Sequence, residues 1–185
     1  MKIFCAETLW DSNVSSTRVS YEALMKLVSN ETGDIISYFT FNTPEELDHL
    51  FTMFRESKYD LFYIASHMKD GNVTSGYKSQ FITSIPSIIK RNKASLTRKI
   101  LHLAGCSSMS EDNIDIKYIK RICKLKVISG YAIDTDSTES AAMDLLYLTT
   151  LSKEGVKGLS ETLNKRYGSL VEASGFKMYV LKEVE

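Results

Sequence analysis

The chain has 185 residues, enough for one domain with a full hydrophobic core. Its 23 basic and 23 acidic side chains cancel, which argues against a general nucleic-acid or membrane-surface binder. No apolar run is long enough to span a bilayer, MKIFCAETLW lacks the apolar segment of a signal peptide, and Cys5, Cys106 and Cys123 fit neither a disulfide framework nor a zinc site; the expectation is a cytoplasmic protein with free thiols and no cofactor.

Strand and helix patterns alternate along the chain. KIFCAET (2–8) reads as a first strand, and VSYEALMKLVSNE (19–31) as a helix with Tyr21, Leu24, Leu27 and Val28 at helical spacing and Gly33 as its stop. DIISYFTF (34–41) is a second strand. TPEELDHLFTMFRES (43–57) carries the full signature of a helix start: Thr43 as cap, Pro44 at the first position, Glu46 closing a capping box. DLFYIASH (60–67) is almost continuously apolar, as a parallel strand buried on both faces should be.

The polar stretch 68–82, with Gly71 and Gly76, predicts a loop or short hairpin over the sheet edge. A helix follows over 83–94, then the apolar strand RKILHLAGC (98–106), a helix over 113–124 and the strand KVISGYA (126–132). Two helices, 136–155 and 159–174, lead to a last strand over 177–184. This order predicts one α/β domain over 1–185, a three-layer αβα sandwich around a mainly parallel sheet of about six strands.

Two chemically capable side chains sit just past the two most buried strands: His67 and Cys106. If those strands are neighbours, both groups emerge beyond the carboxyl edge of the sheet, where open α/β sheets place their sites. A thiol and an imidazole there form a nucleophile–base pair. Cys5, within a strand, and Cys123, on a helix's apolar side, read as core, and His49 as structural. His102 shares a strand face with Ala104 and Cys106 but lies deeper, which makes it the weaker base. Other strand-end chemistries lack their residues: CSSMSEDN has no phosphatase Arg, a receiver would have Asp where His67 stands, and no His follows Cys106 as a glutamine amidotransferase needs. The first loop, 10–20, has no glycine for a nucleotide; its Ser and Thr leave phosphate binding as a minor alternative.

The segments KIFCAETLW, YIASH, HLAGCSSM and above all SGYAIDTDSTESAAMDLL resemble the caspase–gingipain–separase superfamily of cysteine peptidases. That superfamily includes the CHAT peptidases, and the chain is most similar to small bacterial caspase-like proteins. The likeness runs to about Leu151, with departures: Met68 follows His67 where Gly is usual, Ala104-Gly105-Cys106 replaces Gln-Ala-Cys, and 39 positions separate His67 from Cys106.

The resemblance implies a caspase-like fold and a His67–Cys106 dyad hydrolysing peptide bonds, with oxyanion donors from the backbone amides of Met68 and Cys106. It also implies a peptide or protein substrate, a regulatory partner, a role in bacterial defence or regulated cell death, and a specificity pocket bordered by Ser129, Gly130, Tyr131, Asp134 and Asp136. The two aspartates would favour Arg or Lys beside the scissile bond by charge complementarity, unless they serve the start of the following helix, whose cap is then Ser137 or Thr138. A second class of function stays open: a scaffold with this fold whose cleft binds a peptide without cleaving it.

Overall fold

Strands that must bury both faces need helices above and below, and the chain supplies a helix in each connection between the strands of the main sheet. The computed structural model describes residues 1–10, 20–69, 71–76, 80–112 and 115–181. In chain order the first elements are β1 (Lys2–Glu7), α1 (Glu22–Thr32), β2 (Ile35–Thr40), α2 (Pro44–Glu56), β3 (Leu61–Ala65), β4 (His67–Lys69), β5 (Asn72–Ser75) and β6 (Gln80–Ser84). Then come α3 (Ile85–Asn92), β7 (Ile100–Ala104), α4 (Ile116–Ile122), β8 (Val127–Tyr131), α5 (Ser137–Glu154), α6 (Leu159–Ser174) and β9 (Phe176–Val180).

The main sheet has six strands in the order β2-β1-β3-β7-β8-β9. All pair in parallel except β9, which runs antiparallel to β8. Period-2 alternation sorts each strand's side chains to opposite faces. Phe4, Phe62, Ile64, Leu101 and Leu103 join one core, covered by α2, α3 and α4. Ile3, Leu61, Tyr63, Ala65 and Val127 join the other, covered by α1, α5 and α6. Right-handed crossovers require this division: the chain moves one way across the sheet through α1 and the other way through α2, α3 and α4. The expected three-layer α/β sandwich with a mainly parallel six-stranded sheet is the architecture found.

Local chemistry explains several boundaries. At α2, Thr43 Oγ1 accepts from the Glu46 N–H at 3.2 Å and Glu46 returns a bond to the Thr43 N–H at 3.1 Å. Gly33 closes α1 at φ 74°, a left-handed value. Three expectations are corrected. Leu27 points to solvent, and Met25 joins Val28 as a buried residue of α1. His49 lies on the exposed side of α2. The stretch after β3 is more than a loop or hairpin: β4, β5 and β6 form a three-stranded antiparallel sheet, with a register shift between Val73 and Thr74. Polar alternation hid it, since a sheet with one wet face reads like a loop. The Ser- and Thr-rich stretch weighed for phosphate binding falls largely on residues 11–19, and the end of the expected last strand on 182–184; both lie outside the described residues. Among the described residues no helix is long and apolar enough to cross a membrane.

The α2 cap gives a direct test of this local reading. Thr43→Ala removes one half of the capping box and should lower stability by about 1 kcal/mol, read as a lower urea midpoint at unchanged slope.

Candidate active site

The chain leaves β1 in one direction across the sheet and β3 in the other, so the carboxyl ends of these two neighbours open a crevice between them. Such switch points are where open α/β sheets bind ligands. Trp10 follows β1, His67 follows β3, and Cys106 follows β7, the next strand over. Ala65 of β3 pairs with Ala104 of β7, so His67 and Cys106 lie two residues beyond matched positions on adjacent strands.

His67 is held by the β1 loop. Its Nε2 lies 2.8 Å from the Trp10 carbonyl oxygen, and the indole meets the imidazole edge-on with centroids 4.9 Å apart. A carbonyl only accepts, so Nε2 carries the hydrogen and Nδ1 keeps the lone pair of the neutral ring. Trp10 is fixed in turn by Glu7, the last residue of β1, which is 2% exposed. Glu7 accepts from the Trp10 indole N–H, the Tyr38 hydroxyl, the Ser20 hydroxyl at 3.2 Å and the Tyr21 backbone N–H at 3.0 Å.

Cys106 sits on a tight turn that is pinned to β8. Ser107 takes a left-handed φ of 52° and donates its N–H to the Ile133 carbonyl at 2.9 Å; Met109 N–H reaches the Tyr131 carbonyl at 2.8 Å. Ser108 Oγ bridges the two strands, donating to the Leu103 carbonyl at 2.8 Å and accepting the Tyr131 N–H at 3.0 Å. Gly105 is where the turn touches the histidine segment. A Cβ there would lie 2.4 Å from the Ser66 carbonyl oxygen and 2.6 Å from Met68 Cγ. Met68 is buried in the core on the α2 side, so its side chain points away from the crevice. The Cys106 thiol donates to the Thr135 carbonyl, with sulfur and oxygen 3.7 Å apart.

His67 and Cys106 line one cavity of about 330 Å³. Trp10, Tyr21, Ser66, Ala104, Gly105, Tyr131, Thr135, Ser137 and Ser140 complete its lining. Of the other expected pocket residues, Tyr131 borders the cavity while Ser129, Gly130, Asp134 and Asp136 do not. Ser129 is fully buried, bonded to His102 Nδ1 at 2.8 Å and to the Tyr147 hydroxyl at 3.0 Å. Gly130 packs under Ser108 and the Leu103 carbonyl, where a Cβ would come within 2.6 Å of both. Asp134 accepts from the Ser107 hydroxyl at 2.8 Å. Asp136, rather than Ser137 or Thr138, caps α5: its Oδ1 takes the N–H groups of Thr138 at 2.8 Å and Glu139 at 3.3 Å, which hold its carboxyl below the usual range.

Beneath the cavity lies a buried polar cluster that sequence reasoning missed. Asp144 of α5, 0% exposed, accepts from the hydroxyls of Tyr63 (2.5 Å) and Tyr131. His102 Nε2 is 2.9 Å from Asp144 Oδ1, within ion-pair distance though not aligned as a hydrogen bond. Burial, reinforced by the Asp144 charge, holds both phenols well above the usual tyrosine range. Mid-helix, Asp144 looks like a solvated position, and only tertiary packing reveals otherwise. Glu7 and Trp10 were missed because the groups that give the pair its role, Tyr38 and His67, are distant in sequence.

A family model described as a family of unknown function, DUF6642, matches residues 1–180, and the chain belongs to that family. A search of the curated proteins finds no match. The structure is similar to that of the Drosophila initiator caspase Dronc, with TM-score 0.57 and 11% identity over 97% of this chain and 79% of that one. It is similar to the Arg-specific cysteine proteinase gingipain R, with TM-score 0.59 and 10% identity over 99% of this chain and 46% of that one. Pro-sf-caspase-1 gives TM-score 0.57 and 9% identity over 98% of this chain and 86% of that one. The fold is caspase-like.

The three thiols should separate cleanly by chemistry. Burial pushes Cys123 up to about 11 and, with Glu7 and Asp144 nearby, raises Cys5 well above the usual thiol range. Thiolate is the reactive form, so at pH 8 roughly one Cys123 in a thousand is competent. Iodoacetamide at pH 8 should modify Cys106 alone, and Cys123 labelling in the folded protein should climb about tenfold per pH unit toward 11; mass spectrometry of peptides reads both. Gly105→Ala should cost about 1–3 kcal/mol through the Ser66 and Met68 clash, measured as a fall in thermal midpoint.

Proposed function

We propose that this member of DUF6642 is a caspase-like cysteine endopeptidase, with Cys106 as nucleophile and His67 as acid and base. One observation carries the reading: His67 and Cys106, from the ends of adjacent parallel strands, open into the same cavity at the sheet's switch point. The chain's similarity to the Arg-specific cysteine proteinase gingipain R and to two caspases supports it.

The chemistry follows from the groups present. Nε2 of His67 is committed to the Trp10 carbonyl, so Nδ1 is the atom that moves protons. It takes the Cys106 proton, and sulfur attacks the scissile carbonyl. As the tetrahedral adduct collapses, the C–N bond breaks and Nδ1 gives that proton to the leaving amine. Water then loses a proton to Nδ1, attacks the thioester and releases the acid, and the proton returns to sulfur. Backbone N–H groups of Cys106 and Met68 stabilise the oxyanion in this scheme; Met68 replaces the usual glycine without obstructing the crevice, because its side chain is directed into the core. The resting S–H contact to the Thr135 carbonyl must be released by rotation about χ1, as catalytic contacts often tighten only with substrate bound. That same contact is the observation that favours the second reading, a cleft that binds a peptide and leaves it intact.

The experiment is cleavage of a diverse peptide library by the wild-type chain and three variants. Cys106→Ala and His67→Ala should each lower activity by at least about a thousandfold with an unchanged thermal midpoint, while Cys123→Ala retains it. Activity surviving Cys106→Ala would reassign the nucleophile. A fully folded wild-type chain that cleaves nothing would favour the binding reading.

A further inference from the structure

The cavity beside Cys106 is built for a neutral side chain. Trp10, Tyr21 and Tyr131 line it, together with Ala104 and Gly105. Among the described residues, no Asp, Glu, Lys or Arg lines it. Several of its polar groups are already engaged. The Trp10 indole N–H donates to Glu7. The Tyr131 hydroxyl is held by the Ser140 carbonyl at 2.9 Å and by Asp144. Ser66 Oγ donates to the His67 carbonyl at 3.1 Å, Thr135 Oγ1 to the Ser174 carbonyl at 2.6 Å and Ser140 Oγ to the Ser137 carbonyl at 3.1 Å.

An incoming guanidinium, ammonium or carboxylate would shed its water here and, among the described residues, meet no free counter-charge, which is strongly unfavourable. The buried carboxylates beside the lining residues are already engaged: Asp144 by Tyr63, Tyr131 and His102, and Glu7 by Trp10, Tyr21, Tyr38 and Ser20. Asp134 and Asp136 are engaged outside the cavity by Ser107 and the α5 start. An aliphatic side chain meets the opposite balance, losing little and gaining contact with three aromatic side chains.

We propose that this cavity receives the substrate residue on the acyl side of the scissile bond and selects unbranched or γ-branched apolar residues, such as Met and Leu, over Arg, Lys, Asp and Glu. The assignment of that substrate position rests on the peptidase reading; the pocket's preference for a neutral side chain does not.

Trp10, the single tryptophan of the chain, lines the cavity and reports its occupancy without any turnover. The probes are acetyl-Ala-Ala-X-amides with X = Leu, Met, Arg or Asp, titrated into the wild-type chain and the non-cleaving Cys106→Ala variant while Trp10 emission is followed. The Leu and Met peptides should shift the emission saturably and bind at least tenfold more tightly than the Arg and Asp peptides. Equal or tighter binding of Arg or Asp overturns the proposal, and so does the absence of any saturable shift with Leu and Met. The two readings fail separately. Selective Leu binding by a chain that cleaves no peptide retains this pocket and removes the peptidase. Cleavage after Arg or Asp retains the peptidase and removes this pocket.

Discussion

The position of Gly105 decides whether this protein has a site at all. The end of β7 must lie against the backbone of Ser66 and the side chain of Met68, at a distance that leaves no space for even one carbon. Parallel pairing of β3 with β7 brings the two strands into register, but pairing ends at Ala65 and Ala104. Past that point the chains diverge, β3 into the small antiparallel sheet and β7 into the turn pinned to β8. Contact at Gly105 keeps them together for two more residues, and those residues are His67 and Cys106. The run of small residues around them (Ala65, Ser66, Ala104, Gly105) is the sequence trace of that close approach.

Glu7 does comparable work on the other side of the crevice. A buried carboxylate loses several kcal/mol of hydration, and charge-assisted hydrogen bonds return about 1.5–3 kcal/mol each. Four donor groups offset that loss at Glu7, and its contribution to the site is geometric. It draws Trp10, Tyr21 and Tyr38, which come from three separate stretches of chain, onto one point, and Trp10 then sets the tautomer and the direction of His67. The small sheet is tied into the same loop by the Gly76 N–H, which reaches the Leu9 carbonyl at 2.5 Å.

What the sequence disclosed follows the range of the forces involved. Helix starts such as Thr43-Pro44-Glu45-Glu46 are local hydrogen-bonding problems, and β3 and β7 are local hydrophobic patterns; both were legible. So was the juxtaposition of His67 with Cys106, because topology rules convert two buried strands into neighbours. The β4–β6 sheet was not, since its alternation is polar. The pocket's composition was also not legible. Ser129 alternates toward the α5 layer, where His102 and Tyr147 wait for it, and Asp136 is consumed by the first turn of α5. A charge in a loop next to a site says little until the backbone that follows shows where its lone pairs go.

The cluster around Asp144 also constrains how the chain can change over time. Its members come from β3, β7, β8 and α5, and each depends on another for a partner no solvent can replace. Losing one alone strands the rest in a dry interior, whereas exchanging several together for apolar side chains of like shape can be nearly neutral. Substitution here is therefore a matter of sets. Divergence in this layer should arrive as rare, concerted replacements, while the exposed faces of α1 and α2 drift one position at a time.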